Sequence, residues 1–189
     1  MADPIQRLFH PAPPPGFNPF ESREDRQIRN QLSSALIASI RERNPVYQDM
    51  ADPLSARHRH GRCREYLRDR ICRYDRVWVH LIQNGFQDIP SQFRWVWNQG
   101  LFFECHDLLE RDWRTHPDNQ RRAIKGLIQA AGAYEHMIYG RTRPAERLAG
   151  KALDTIADVI ELVAPYIEPR TLLAGLMALN QGPPRSEGD

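Results

Sequence analysis

Apolar side chains recur along much of this chain at intervals of three and four, the spacing of helices that turn one face inward. The first block covers residues 22–44: Ser22 with Asp25 three positions on forms a capping-box-like start, Ile28, Leu32, Ala35, Leu36 and Ser39 keep the helical interval, and Asn44-Pro45 ends it. Between 46 and 61 the periodicity lapses, which predicts a connector. It returns over 62–84 with Cys63, Leu67, Ile71, Tyr74, Trp78 and Leu81, and Gly85 is a natural stop. Ile89-Pro90-Ser91 marks a turn, after which Phe93, Val96 and Trp97 predict a short helical or 3₁₀ piece. A central helix then carries Phe102, Cys105, Leu109 and Trp113 on one broad face, ending by Thr115 or His116 because Pro117 disfavours helix before it. Further helices are predicted over 120–139, stopped by Gly140, and from Pro144 along Ala145, Leu148, Ala152, Thr155, Ile156, Val159 and Leu162 or Val163. Pro165 and Pro169 interrupt that run before a last helix over 170–179. No segment alternates as a strand would. The expected class is all-α, a single helical bundle of about six helices.

The two ends differ from this pattern. Pro4, Pro11, Pro13, Pro14, Pro15 and Pro19 exclude a regular helix at the start, so a Pro-rich N-terminal arm is expected, with Phe9, Phe17 and Phe20 as its anchors. The resulting plan is an arm over 1–20, an N-terminal helical extension over 21–97, a helical core over 98–180 and a flexible tail over 181–189. Composition adds little: 41% hydrophobic and 26% charged residues, with a net charge of +2, describe an ordinary soluble protein. No apolar run approaches the roughly 20 residues of a membrane span, and the beginning lacks the apolar core of a signal peptide. Three cysteines without C-x-x-C spacing favour free thiols in a reducing compartment, so a cytoplasmic location is expected. A short helical core is commonly completed by a second copy, and a homodimer is the default expectation.

Chemistry concentrates between Gly100 and Trp113. His106 falls at the edge of the apolar face, with Glu110 one turn further along. Asp107 stands between Glu104 and Glu110, a row of three carboxylates that repel one another unless something cationic sits among them. On the next helix Glu135 falls inside the stripe of Ile124, Ile128, Ala131 and Ile138, where a carboxylate is costly unless paired or hydrogen-bonded. Gln129, Ala133 and His136 lie on a neighbouring face, with Gly126, Ala130 and Gly132 permitting close approach. Laying that face on the central helix brings Gln129, Glu135 or His136 towards His106 and Glu110.

The order Gly100-x-Phe102-Phe103-Glu104-x-His106-Asp107-x-Leu109-Glu110-x-x-Trp113, then Leu127-Ile128-Gln129, Tyr134-x-His136 and Pro144-Ala145-x-x-Leu148, resembles the bacterial and archaeal family called domain of unknown function 309. The resemblance covers residues 98–163 and implies an all-helical fold, sometimes labelled a predicted metal-dependent hydrolase. By position it implies Glu104, His106, Asp107, Glu110 and His136 as site residues, with Trp113 as a packing anchor. Asp107 departs from the glutamate usual there, shortening the reach of a base by one methylene.

The residues carry a metal reading of their own. His106 and Glu110 at i,i+4 have the spacing by which zinc peptidase helices present two ligands, and His136 from the facing helix would complete a two-His, one-carboxylate set for zinc or a similar divalent ion. Asp107 or Glu104 would then be the base that accepts a proton from water attacking a small-molecule substrate. Two rivals stand beside it. The same residues can form a structural polar network in a non-catalytic helical scaffold or binding protein, or line a metal-free pocket. Trp113, Phe102 and Phe103 fit a core better than a substrate platform. Separately, residues 57–76 hold eight arginines, and Arg64, Arg68 and Arg73 could contact a nucleic-acid backbone, although solvated arginines and local ion pairs explain them more simply. The cluster His58-x-His60-x-x-Cys63 suggests metal ligands without an evident fourth partner.

Overall fold

The computed structural model describes residues 12–58, 60–85, 88–113 and 116–185, with the side chain of Asp112 also outside the description. Among these residues the chain is all-helical, with eight α-helices and no strand. That exceeds the expected six, and in place of the expected single bundle the described residues form two compact units, one within 12–85 and one within 88–185. Among the described residues no helix is long and apolar enough to cross a membrane.

The N-terminal unit contains α1 (Arg23–Glu42), α2 (Val46–Arg57) and α3 (Gly61–Asn84). Ser22 caps α1 by accepting the Asp25 N–H at 3.2 Å. Only half of the expected capping box forms, because the Asp25 carboxylate turns instead to the Asn18 N–H at 2.8 Å. The segment taken for a connector is α2. Its buried residues Tyr47, Ala51 and Leu54 are correctly spaced for a helix, which forms despite the internal Pro53. Ser39 ties α1 to α2: its hydroxyl donates to the Ala35 carbonyl at 2.7 Å and accepts the Tyr47 N–H at 2.9 Å. The Tyr47 hydroxyl donates in turn to Asp75 of α3 at 2.7 Å. Of the expected aromatic anchors, Phe17 is buried and stacks on Tyr66 with ring centroids 3.7 Å apart. Phe20 takes the Arg29 guanidinium over its ring. Phe9 lies outside the described residues.

The C-terminal unit contains α4 (Ile89–Asn98), α5 (Phe102–Asp112), α6 (Asp118–Ile138), α7 (Thr142–Ile156) and α8 (Pro169–Met177). Asp88 caps α4 by accepting the Ser91 N–H, so the short piece expected around Phe93 is a full helix starting at the Ile89-Pro90 turn. Gly100 turns α4 into α5 with φ of +67°, a backbone state that side chains with a Cβ resist. Phe93, Trp97, Phe102 and Tyr134 are all fully buried and meet ring against ring at the centre. The α7 run does not reach Val163 as one helix. It becomes 3₁₀ over Ala157–Leu162, with Val159 leaving helical dihedrals. At the tail, the Pro184 carbonyl accepts the Trp97 indole N–H at 2.8 Å, so the chain is docked as far as Pro184 rather than loose from 181 onward. The expected flexible residues 186–189 lie outside the described chain.

Helices α6 and α7 pack most closely where Gly126 meets Ile156. A methyl added at Gly126 would fall inside van der Waals contact of Ile156 Cγ1, an atom near the backbone that cannot swing away. Gly126→Ala is therefore expected to destabilise the protein by roughly 1–2 kcal/mol, since so close a contact puts the overpacking cost at about 2–3 kcal/mol against a helix-propensity gain of about 1 kcal/mol. Urea unfolding checks this, and an alanine variant as stable as the parent would contradict so close an approach.

Candidate functional site

Helix α5 presents two chemically distinct faces. Its inner face buries Phe102, Cys105, Leu108 and Leu109, and with them Glu104, which is fully buried in the first turn. A carboxylate there faces the positive end of the helix dipole. Burial, reinforced by the Glu104 charge, pushes the Cys105 thiol well above its ordinary range, so this cysteine stays a protonated core residue and not a nucleophile.

The outer edge holds the ionisable cluster. His106 Nδ1 lies 3.5 Å from Asp107 Oδ1, and His106 Nε2 lies 3.4 Å from Glu110 Oε1. One potential ligand atom from each of these residues falls within 4.8 Å of the others. Each ring nitrogen thus has a carboxylate within ion-pair distance, while the buried Nδ1 makes no hydrogen bond among the described residues. Phe103, one turn earlier, lies nearly parallel to the imidazole with ring centroids 6.0 Å apart. Exposure rises outward, from 19% at Asp107 through 30% at His106 to 54% at Glu110, so the Glu110 side faces water.

The other expected site residues are distributed around this cluster. Glu135 is buried in α6, as its place in the apolar stripe required. Gln129 is half-buried, and its side-chain carbonyl is buried without a hydrogen bond among the described residues. His136 is half-buried in the last turn of α6 and stands outside the His106–Asp107–Glu110 set. Trp113 lines a shallow groove with Arg121, Arg122, Lys125 and Asp154, apart from that set. The i,i+3 spacing of Phe103 and His106 is the sequence signal for the parallel placement of their rings.

The arginine-rich α3 is less accessible than its composition suggests. Arg64 and Arg68 are exposed and share a groove with His60 and Glu65. Arg73 is buried and bonds Asp69 at 3.1 Å, while Tyr66, Tyr74 and Trp78 are core residues that cannot stack on bases.

These features define an all-α unit with a histidine held between two carboxylates on one helix. The family described as Domain of unknown function (DUF309) matches residues 91–148, from the start of α4 to the middle of α7, so the resemblance holds over the segment that carries the cluster. No curated protein and no solved structure matches the chain.

Proposed function

We propose that the C-terminal unit binds a divalent cation through His106 and Glu110 and serves as a metal-dependent hydrolase of a small-molecule substrate. The observation that carries this reading is the pair of carboxylates on opposite nitrogens of His106, at 3.5 and 3.4 Å. An imidazole nitrogen and a carboxylate oxygen suit zinc or a similar divalent ion. Asp107, 3.5 Å from Nδ1 without a hydrogen bond to it, would on closing by a few tenths of an ångström become the carboxylate that fixes the tautomer of a ligating histidine and leaves Nε2 for the cation. A cation held there would supply Lewis acidity that lowers the pKa of water. Glu110 orients towards solvent, where substrate and water can enter. At 3.5 Å from Nδ1 the Asp107 carboxylate makes no hydrogen bond to the ring, so it stands close enough to act either as a partner of Nδ1–H or as a base. His136 and water are the sources of any further ligands.

The test is elemental mass spectrometry of the purified, tag-free protein beside His106→Ala and Glu110→Gln. Metal content should fall by one equivalent in both variants while the helical circular dichroism signal is retained. No metal after divalent supplementation, or unchanged metal in His106→Ala, would sink the proposal and leave the cluster as a structural ion-pair network.

A further inference from the structure

The N-terminal unit gathers a second set of metal-ligating side chains that no single sequence segment contains. Glu24 comes from the first turn of α1, His58 from the end of α2 and Cys63 from the first turn of α3. One ligand atom from each lies within 4.8 Å of the other two. His58 Nδ1 is 3.6 Å from Glu24 Oε1, with the imidazole only 11% exposed. The Cys63 side chain is buried, and its Sγ is 3.7 Å from Asp25 Oδ1.

We propose that Glu24, His58 and Cys63 form a binding site for a zinc-class transition-metal ion in the N-terminal unit. The donor set selects the ion: a thiolate and an imidazole favour zinc, while calcium and magnesium prefer all-oxygen sites. Zinc bond lengths of about 2.0–2.3 Å imply ligand-to-ligand separations of about 3.3–3.8 Å in a tetrahedron, and the His58–Glu24 pair already has that spacing. The other pairs must contract by about 1 Å or less, through a rotamer change at the half-exposed Glu24 and a small rotation of the His58 ring or the Cys63 thiol towards one another. That exposure leaves the fourth position to water.

Burial and the Asp25 and Glu24 carboxylates hold the Cys63 thiol above its ordinary range, so a thiolate there needs a cation beside it, and the charges of the site can accommodate one. Arg62 lies 3.2 Å from Asp25 and 3.6 Å from the second Glu24 oxygen, and its single positive charge neutralises the fully buried Asp25. A divalent ion would be neutralised by the Glu24 carboxylate and the Cys63 thiolate, the thiol proton leaving to solvent. Such an ion would join the beginning of α1 to the α2–α3 junction.

The test is titration of the full chain with cobalt(II), whose thiolate-to-metal charge-transfer absorption in the near ultraviolet appears only when a cysteine ligates. In His106→Ala, which removes the other proposed cation site, the band should saturate at one equivalent, and in the parent, Cys72→Ser and His106→Ala alike it should appear and be displaced by zinc. It should vanish in Cys63→Ser, with folding of that variant checked by circular dichroism. Glu24→Gln, a change at an exposed position, should weaken binding by about tenfold or more. Absence of the band, its survival in Cys63→Ser, or unchanged affinity in Glu24→Gln would overturn the assignment. The Glu24 variant decides the matter should Cys63→Ser fail to fold.

Discussion

Trp97→Ala is expected to lower stability by roughly 3–5 kcal/mol, the range for truncating a fully buried aromatic side chain. The indole is fully buried at the centre of the C-terminal unit, where Phe93 is tilted against it at 5.5 Å and Phe102 and Tyr134 meet it edge-on at 5.0 and 5.5 Å. Removing it opens a cavity among three rings, and rigid rings collapse poorly into such a space. It also strands the Pro184 carbonyl that accepts the indole N–H. Trp97→Phe separates the contributions, because it keeps much of the ring packing and loses the hydrogen bond, worth about 1 kcal/mol together with some volume. Since a domain is stable by about 5–15 kcal/mol, the alanine variant should be partly unfolded in moderate urea where the parent is native. A loss below about 2 kcal/mol would contradict the central role of this ring cluster.

Most helices were legible because their apolar positions recur at three and four and their ends carry glycine, proline or a capping side chain. The exceptions have local causes. In α2 the interval from Tyr47 to Ala51 to Leu54 is helical, but only three apolar residues mark it and Pro53 interrupts it, so the pattern looked like a connector. Past Ile156 the stripe continues through Val159 while the backbone tightens to 3₁₀, a change in dihedrals that apolar spacing does not register. Burial of Glu135 was readable from its place in a stripe. The placement of Asp107 and Glu110 beside opposite nitrogens of His106 was not, because it depends on the ring rotamer, which residue spacing does not set. Nor could Glu24 be joined to His58 and Cys63 from sequence. Only the folding of three helices brings residues so far apart in the chain together.

Asp25→Ala is expected to cost about 2–4 kcal/mol, because one fully buried carboxylate holds three different partners. Its Oδ2 accepts the Asn18 backbone N–H at 2.8 Å, and both oxygens lie 3.2 Å from Arg62 Nε. The Cys63 thiol donates to Oδ1 at 3.7 Å. Alanine removes all of these acceptors while the Asn18 N–H and the Cys63 thiol remain in place. The penalty stays below that of a wholly buried ion pair because Arg62 is 40% exposed and can recover water. Asp25→Asn should cost less, since its amide oxygen can still accept from Asn18. A double-mutant cycle with Arg62→Ala then separates the charge contribution: the Asp25→Ala loss should shrink in the Arg62→Ala background by the coupling energy of the pair. Equal losses in both backgrounds would mean that the backbone acceptor role at Asn18, and not the ion pair, anchors the segment before α1.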